Sequence, residues 1–217
     1  MFKEAVAVAA VCVLAGCSSG ATTSAKVDIK KVADVKSSFG PDFRVTDIGE
    51  RGIDPKVLAG HKLPEGLTFD PAGCAKAATG PDMPPDVQGN MAAVSAEGKG
   101  NRFVVIAIET SKALPFNDPG KECAKIAFSG PQLRGGMEVV DAPQIDGART
   151  MGVHRVLQAL VAGGPRTGEL YDYSAQFGEY QVIVTANPLV IPGQPVAPVD
   201  TQRARDLLVN AVRAVRS

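Results

Sequence analysis

The chain of 217 residues contains no tryptophan, only 2 histidines and 5% aromatic residues. Its 23 lysines and arginines balance 23 aspartates and glutamates, so the formal net charge is +0. A balanced charge lacks the basic surface of a nucleic-acid-binding protein, and we expect no nucleic-acid partner. No apolar run reaches the roughly 18 residues of a membrane-spanning helix. The remaining composition, 45% hydrophobic, is typical of one ordinary globular domain.

Common catalytic motifs are also missing. The sequence has no G-x-S-x-G, S-x-x-K or H-E-x-x-H motif, no Walker phosphate loop and no dinucleotide-binding fingerprint. Its few histidines and cysteines form no zinc-ligand pattern, so we predict no metal, no cofactor, no catalytic residue and a protein that is not an enzyme. One minor alternative remains, an exported hydrolase in which His154 activates Ser129 or Ser174.

The N-terminus has the pattern of a bacterial export signal. Lys3 precedes an apolar run from Ala5 to Leu14, which at roughly 1.5 Å per residue is about half the length needed to cross a bilayer. The run ends in Leu14-Ala15-Gly16-Cys17, which resembles the lipobox of bacterial lipoproteins. That resemblance implies cleavage before Cys17 and attachment of lipid, such as palmitate, to this cysteine. Two or more acyl chains anchor a protein stably.

These features predict the organisation of the chain. Residues 1–16 are a signal peptide, residues 17–26 a lipidated cysteine with a flexible polar tether, and residues 27–217 a single domain. The protein is then lipid-anchored to the cell membrane on the extracytoplasmic side. The tether reaches at most about 30 Å, at roughly 3.3 Å per residue.

The remaining cysteines predict one structural disulfide. Cys12 leaves with the signal and Cys17 carries lipid, so Cys74 and Cys123 remain to pair in an oxidising compartment. Neither has a neighbouring histidine or a Cys-X-X-Cys partner, which argues against redox catalysis.

Helices at both ends and strands between them predict the fold. Residues 27–39 and 201–216 have helical periodicity, and Asp70-Pro71 indicates a short helix that carries Cys74 and begins at Asp70 as cap. Asp54-Pro55 indicates another short helix. Residues 91–96 and 103–110 flank a turn and predict a hairpin, whose second strand is apolar enough to be buried on both faces. We therefore predict a single α+β domain with a curved, mainly antiparallel sheet packed by N-terminal and C-terminal helices.

The turn of this hairpin, Gly98-Lys99-Gly100-Asn101, could also bind an anion through its backbone amides. No helix begins after it, so a plain hairpin turn is the preferred interpretation.

A tyrosine cluster is the best candidate for a ligand site. All 3 tyrosines of the chain, Tyr171, Tyr173 and Tyr180, lie close together in sequence. In a strand the first two point to one face, and the third follows on the next strand, so the rings could line a groove. Ordinary packing between the strands is the preferred interpretation of the cluster, and a ligand site is the alternative.

Several segments of the sequence together carry a family resemblance. They are Leu14-Ala15-Gly16-Cys17, Asp70-Pro71-Ala72-Gly73-Cys74, the Gly98 hairpin, Cys123, Ile145-Asp146-Gly147-Ala148-Arg149-Thr150, Tyr173-Ser174-Ala175 and Tyr180-Gln181-Val182-Ile183-Val184. These segments resemble mycobacterial envelope lipoproteins of unknown function. More distantly, they resemble the extracellular sensor domain of PknH-type serine/threonine kinases, which implies a compact α+β domain with a cleft for a ligand. The sequence differs from those sensors in having one cysteine pair and no tryptophan in the predicted domain.

Two functions fit these observations. The first is a sensor-like domain that binds a small or lipidic envelope ligand without catalysis. The alternative is a module that docks onto an envelope enzyme or a receptor kinase through a sheet edge or an apolar patch.

Overall fold

The computed structural model describes residues 27–53, 63–80, 84, 86–161 and 164–217. The described residues form one antiparallel sheet in the order β1-β3-β4-β9-β8-β7-β6-β5-β2, which is open at both edges. The nine strands are β1 (Phe43–Gly52), β2 (Thr68–Asp70), β3 (Gly89–Gly98), β4 (Asn101–Thr110), β5 (Lys125–Ser129), β6 (Leu133–Val140), β7 (Arg149–Val161), β8 (Gly164–Phe177) and β9 (Tyr180–Pro188).

Along the chain, one helix precedes the first strand, another follows the last strand, and a short helical segment lies between β2 and β3. An N-terminal 3₁₀ helix spans Ile29–Ser38, and the C-terminal helix spans Thr201–Arg216. A 3₁₀ turn, Ala72–Cys74, leads into the short helix Ala75–Thr79. The predicted α+β domain with a mainly antiparallel sheet and terminal helices is confirmed. The helix predicted at Asp54-Pro55 lies outside the described residues.

Side-chain caps begin both terminal helices. The Asp28 carboxylate accepts a hydrogen bond from the Lys30 amide at 3.0 Å, and the Asp200 carboxylate accepts one from the Arg203 amide at 3.0 Å. Such caps satisfy backbone donors that have no partner inside the helix. The apolar side of the C-terminal helix is fully buried, as its periodicity predicts.

The predicted Asp70 cap is wrong. Asp70 ends strand β2, where it pairs with Ala127, and the helical segment begins after Pro71 without a side-chain cap. The need to complete the sheet edge outweighs the local capping preference. The segment still carries Cys74 and ends before Gly80, as predicted.

The β3–β4 hairpin has the predicted turn. Lys99 and Gly100 adopt left-handed conformations with φ of 49° and 75°, as expected in a two-residue hairpin turn. Strand β4 lies inside the sheet, but the prediction that it is buried on both faces is wrong. Phe103, Val105 and Ala107 are buried on one face, whereas Val104 and Ile106 on the other are only half-buried.

The larger core lies between the helices and one face of β3, β4, β8 and β9. We call it the helix-covered core. Leu207 and Leu208 of the C-terminal helix and Val32 of the 3₁₀ helix pack there, each at most 1% exposed. Their strand partners are Ala92, Val94, Phe103, Val105, Ala107, Tyr173, Ala175, Val182, Val184 and Ala186.

A smaller core lies on the opposite face of the sheet, against β5, β6 and β7. We call it the disulfide-side core. Its buried members are Cys74, Ile126, Met137 and Val153. Register places Met137 opposite Arg155 and Val153 opposite Asp172, so these residues alternate with the residues that face the helices. The covered face of the sheet therefore changes between its two halves.

Candidate functional site

Because the helices cover only the first half of the sheet, the same face of β5–β8 stays open beside them. Register arranges its side chains in rows across the strands. We call this surface the platform and define it as the exposed and half-exposed residues Ser129, Arg134, Gly136, His154, Val156, Gln158, Leu160, Pro165, Thr167, Glu169 and Tyr171.

A hydrogen-bonded polar row crosses the middle of the platform. Arg134 on β6 donates from Nε to Gln158 Oε1 on β7 at 2.6 Å. Gln158 donates from Nε2 to Thr167 Oγ1 on β8 at 3.2 Å. The row orients the guanidinium of Arg134 through Nε, and among the described residues its Nη1 and Nη2 groups, which carry four of its five donor hydrogens, have no hydrogen-bond acceptor.

Apolar surface lies on both sides of the polar row. Val156 is 38% exposed and Leu160 60% exposed, both on β7 and both facing the platform. One open cavity of about 440 Å³ is lined by Val156, Gly136 and the polar row. A second of about 350 Å³ is lined by Leu160, its neighbours Leu133 and Pro165, and the Arg134 and Gln158 side chains. The two cavities share Arg134 and Gln158, so they adjoin at the polar row.

The platform ends in an aromatic and acidic row next to the helix-covered core. The His154 and Tyr171 rings stack with centroids 4.2 Å apart, and His154 Nε2 lies 2.9 Å from Glu169 Oε1. Burial raises the pKa of the Tyr171 phenol, and the nearby carboxylates Glu169 and Glu138 raise it further, because each disfavours the phenolate.

Tyr173 is a core residue. Its side chain is 1% exposed, and its hydroxyl lies 3.4 Å from Arg205 Nη1 of the C-terminal helix. The ring lies over Gly152 on β7, whose missing side chain leaves room for it. Tyr171 and Tyr173 share a face as predicted, but only Tyr171 reaches the platform.

Tyr180 lies at the other end of the sheet, near the β8–β9 turn. Its hydroxyl donates to Glu109 Oε1 at 3.1 Å, and its ring stacks on Phe177 with centroids 5.8 Å apart. Burial and then the Glu109 carboxylate raise the pKa of this phenol. The structure does not bring the three predicted rings into one groove, and ligand binding by these tyrosines stays a prediction.

The alternative catalytic group is not assembled either. Ser174 pairs with Met151 and faces the opposite side of the sheet from His154. Ser129 lies on β5, two strands from His154 and in the row of Gln158. Among the described residues, no group of three histidine, cysteine or acidic side chains could hold a metal ion.

Cys74 and Cys123 form the predicted disulfide, with Cα atoms 5.5 Å apart. Cys74 is buried against β5 and β6, so the bond joins the short helical segment and the loop before β5 to the sheet. Cys17 lies outside the described residues, and its lipidation stays a prediction.

Sequence reasoning missed the polar row of Arg134, Gln158 and Thr167. Three strands contribute one residue each, and only the register brings them together. The available signal was the alternation of His154, Val156, Gln158 and Leu160 along one strand, which places two polar and two apolar residues on one face.

The described residues form a single α+β domain with an open platform on one face of its sheet. The chain belongs to the DUF5642 family, a domain of unknown function, whose model matches residues 28–216. It is similar to an uncharacterized protein from Mycobacterium smegmatis, an ortholog of Rv0999, whose X-ray structure is known. The two are 58% identical with a TM-score of 0.83, over 88% of this chain and 98% of that one.

The extracellular domain of PknH from Mycobacterium tuberculosis is a distant structural match. It is 13% identical with a TM-score of 0.40, over 86% of this chain and 92% of that one. No curated protein matches the chain. Within the described ranges, no helix is long and apolar enough to span a membrane.

Proposed function

We propose that this protein is an exported lipoprotein, anchored through Cys17, that binds an amphiphilic small molecule on the platform without transforming it. The observation that carries the proposal is a hydrogen-bonded polar row between two exposed apolar residues, Val156 and Leu160. Exposed aliphatic side chains beside a cavity of several hundred cubic ångströms are typical of a binding surface.

The position of the chain ends fits such an anchored protein. The Asp28 amide donates to the Val215 carbonyl at 2.9 Å, and Arg216 donates to the Asp146 carbonyl at 2.7 Å. The domain therefore begins beside the β6–β7 loop, whereas Leu160 lies at the far end of β7. With about 3.3 Å per residue, a strand of 13 residues separates the two ends by roughly 40 Å. A tether at residue 27 would leave the apolar end of the platform pointing away from the anchoring membrane.

Ligand carriage is tested by native mass spectrometry of the mature chain, with Cys17→Ser to remove the lipid, after export in a related host. We expect a reproducible excess mass that denaturation removes. At least one of the variants Val156→Asp and Leu160→Asp should abolish the excess mass, because a buried carboxylate beside an alkyl group is unfavourable. Val196→Asp is the matched control, since Val196 is 55% exposed on the loop before the C-terminal helix. A bare mass for the parent chain, or equal loss in all three variants, would contradict carriage on the platform.

Anchoring has its own test. A palmitate analogue supplied to cells should label the full chain and not the Cys17→Ala variant, which should also lose membrane association. Labelling of both chains would contradict lipidation at Cys17.

A serine-reactive fluorophosphonate should label neither chain. Labelling that the His154→Ala variant abolishes would instead support a hydrolase.

The second candidate function is docking onto an envelope enzyme or kinase. The surface that favours it is the apolar end of the platform, and the edge strands of the sheet are poorly suited to it. Edge strand β2 has 3 residues, and edge strand β1 carries charged residues and a register shift between Ile48 and Arg51. Short, charged and irregular edges oppose strand addition. A protein partner would therefore contact Leu160 and Val161, and Leu160→Asp should abolish its co-purification while Arg44→Asp leaves it intact.

A further inference from the structure

We propose that the platform selects amphiphiles with an oxyanion head group, a carboxylate or a phosphate, which Arg134 binds while the alkyl chain lies on Leu160 or Val156. This inference rests on the proposed function and adds the charge of the ligand and the residue that recognises it.

Arg134 differs from three other arginines of the sheet, which form ion pairs with carboxylates. Arg44 and Arg102 both pair with Glu97, and Arg155 pairs with Asp172. Arg134, in the part of the chain that the structure describes, has only the neutral Gln158 as its partner. Since that contact uses Nε, the two terminal nitrogens remain for a planar or tetrahedral oxyanion, which an arginine can bind with two parallel hydrogen bonds.

The charges around Arg134 favour an anion. Its row contains Ser129, Gln158 and Thr167, and the next row toward the apolar end contains Leu160 and Pro165, so neither row holds a carboxylate. On the other side, the Glu169 carboxylate lies against His154, and Glu138 faces Lys125 with Oε2 3.9 Å from Nζ. Among the described residues that line the two cavities, Arg134 is the charged one, so the charge at their junction is positive.

The shape of the surface places the alkyl chain. Both cavities open from Arg134 and Gln158, one toward Val156 and the other toward Leu160. A head group held at Arg134 therefore has apolar surface within reach on either side. Gln158 and Thr167 can donate or accept beside it, which suits the remaining oxygens of a phosphate or a neighbouring hydroxyl.

The test uses the mature chain with Cys17→Ser, stripped of any carried molecule, and four probes that each carry an unbranched chain of twelve carbon atoms. Dodecanoate, dodecyl phosphate, dodecyl maltoside and dodecyltrimethylammonium are titrated below their micelle concentrations by isothermal calorimetry. We expect one or both anionic probes to bind at least about tenfold more tightly than the neutral one, and the cationic probe most weakly. Added salt should reduce the anion preference, because the site is exposed.

Arg134→Gln should remove the tenfold preference while keeping the affinity for dodecyl maltoside. Arg166→Gln is the matched control. Arg166 is exposed on β8, but its register with Ala159 places it on the face of the sheet opposite to the platform. This variant should keep the preference for anionic probes. Preference for dodecanoate or for dodecyl phosphate identifies the head group.

The other possible results of these titrations contradict either recognition by Arg134 or the proposed function. Equal binding of all head groups, or an anion preference that survives Arg134→Gln, refutes recognition by Arg134 and leaves amphiphile binding intact. Tighter binding of the cationic probe would transfer recognition to Glu138 and Glu169 and likewise refute it. Absence of binding by all four probes refutes the proposed function itself.

Discussion

The two halves of the sheet are stabilised in different ways. In the helix-covered core, two helices bury a continuous set of apolar side chains from β3, β4, β8 and β9. In the disulfide-side core, four buried residues and a covalent bond hold β5–β7 on the opposite face. Because the second half is held from one side by a compact crosslinked segment, its other face needs no cover. The platform is that uncovered face.

The largest effect is expected from removal of the disulfide. Cys74→Ala with Cys123→Ala should lower the free energy of unfolding by about 4 kcal/mol, because the bond closes a loop with a sequence separation of 49 and restricts the unfolded chain. Urea denaturation measures the loss. Hydrogen exchange should accelerate most in β5 and β6.

The control for this double variant is the parent chain with both cysteines intact and Cys17→Ser. Equal acceleration of exchange in β4 and β9 would show that the two halves unfold as one unit, and the distinction between the cores would fail.

A cavity in the helix-covered core should cost about 3 kcal/mol. Leu208→Ala removes a side chain that is 0% exposed between the C-terminal helix and the sheet, so both transfer free energy and packing are lost. Urea denaturation gives the change. Val190→Ala, at a site that is 69% exposed, should change stability by less than about 0.5 kcal/mol. A similar small change for Leu208→Ala would mean that the helix contributes little to this core.

A smaller loss is expected at the boundary between the halves. A Cβ atom on Gly152 would lie 2.7 Å from the Val140 carbonyl oxygen and 3.0 Å from the Tyr173 ring. Gly152→Ala should therefore cost about 2 kcal/mol through displacement of β6 or of the ring, as measured by thermal unfolding. Gly168→Ala on β8 is the control, since nothing lies within 4 Å of its Cβ position. Equal melting temperatures for the two variants would contradict tight packing at this boundary.

The smallest effect concerns alkaline pH. The raised pKa values of Tyr171 and Tyr180 mean that the folded protein keeps both phenols neutral where the unfolded chain, with a pKa near 10, ionises them. Their contribution to stability is complete below about pH 10 and is lost as the pH rises through the folded pKa values. Tyr171→Phe with Tyr180→Phe should reduce the decline of the melting temperature above pH 10. Identical pH profiles for parent and variant would contradict the assignment.

The sequence predicted the elements whose signals are local. Lys99-Gly100 specifies the hairpin turn, Asp200 and the apolar periodicity specify the C-terminal helix, and the cysteine count specifies the disulfide. The Asp70-Pro71 dipeptide gave a wrong prediction of a helix cap, because an Asp-Pro dipeptide can also end an edge strand.

The change of covered face could not be read from the sequence. Alternation along β7 leaves the choice of face open, because Val153 and Leu157 are as apolar as Val156 and Leu160. Only the location of Met137 and Ile126 against Cys74 decides it, and those contacts join distant parts of the chain. The polar row of the platform was missed for the same reason.

The Asp28 amide donates to the Val215 carbonyl and Lys31 Nζ donates to the Ser217 carbonyl at 2.6 Å, so the start of the described domain lies beside the end of the C-terminal helix. Chain ends that meet allow a circular permutant, with a short linker joining Ser217 to Val27 and new termini at the Gly178 turn. They also make Ser217 a suitable attachment point for a fluorescent reporter, since a fusion there leaves the far end of β7 accessible for binding assays in living cells.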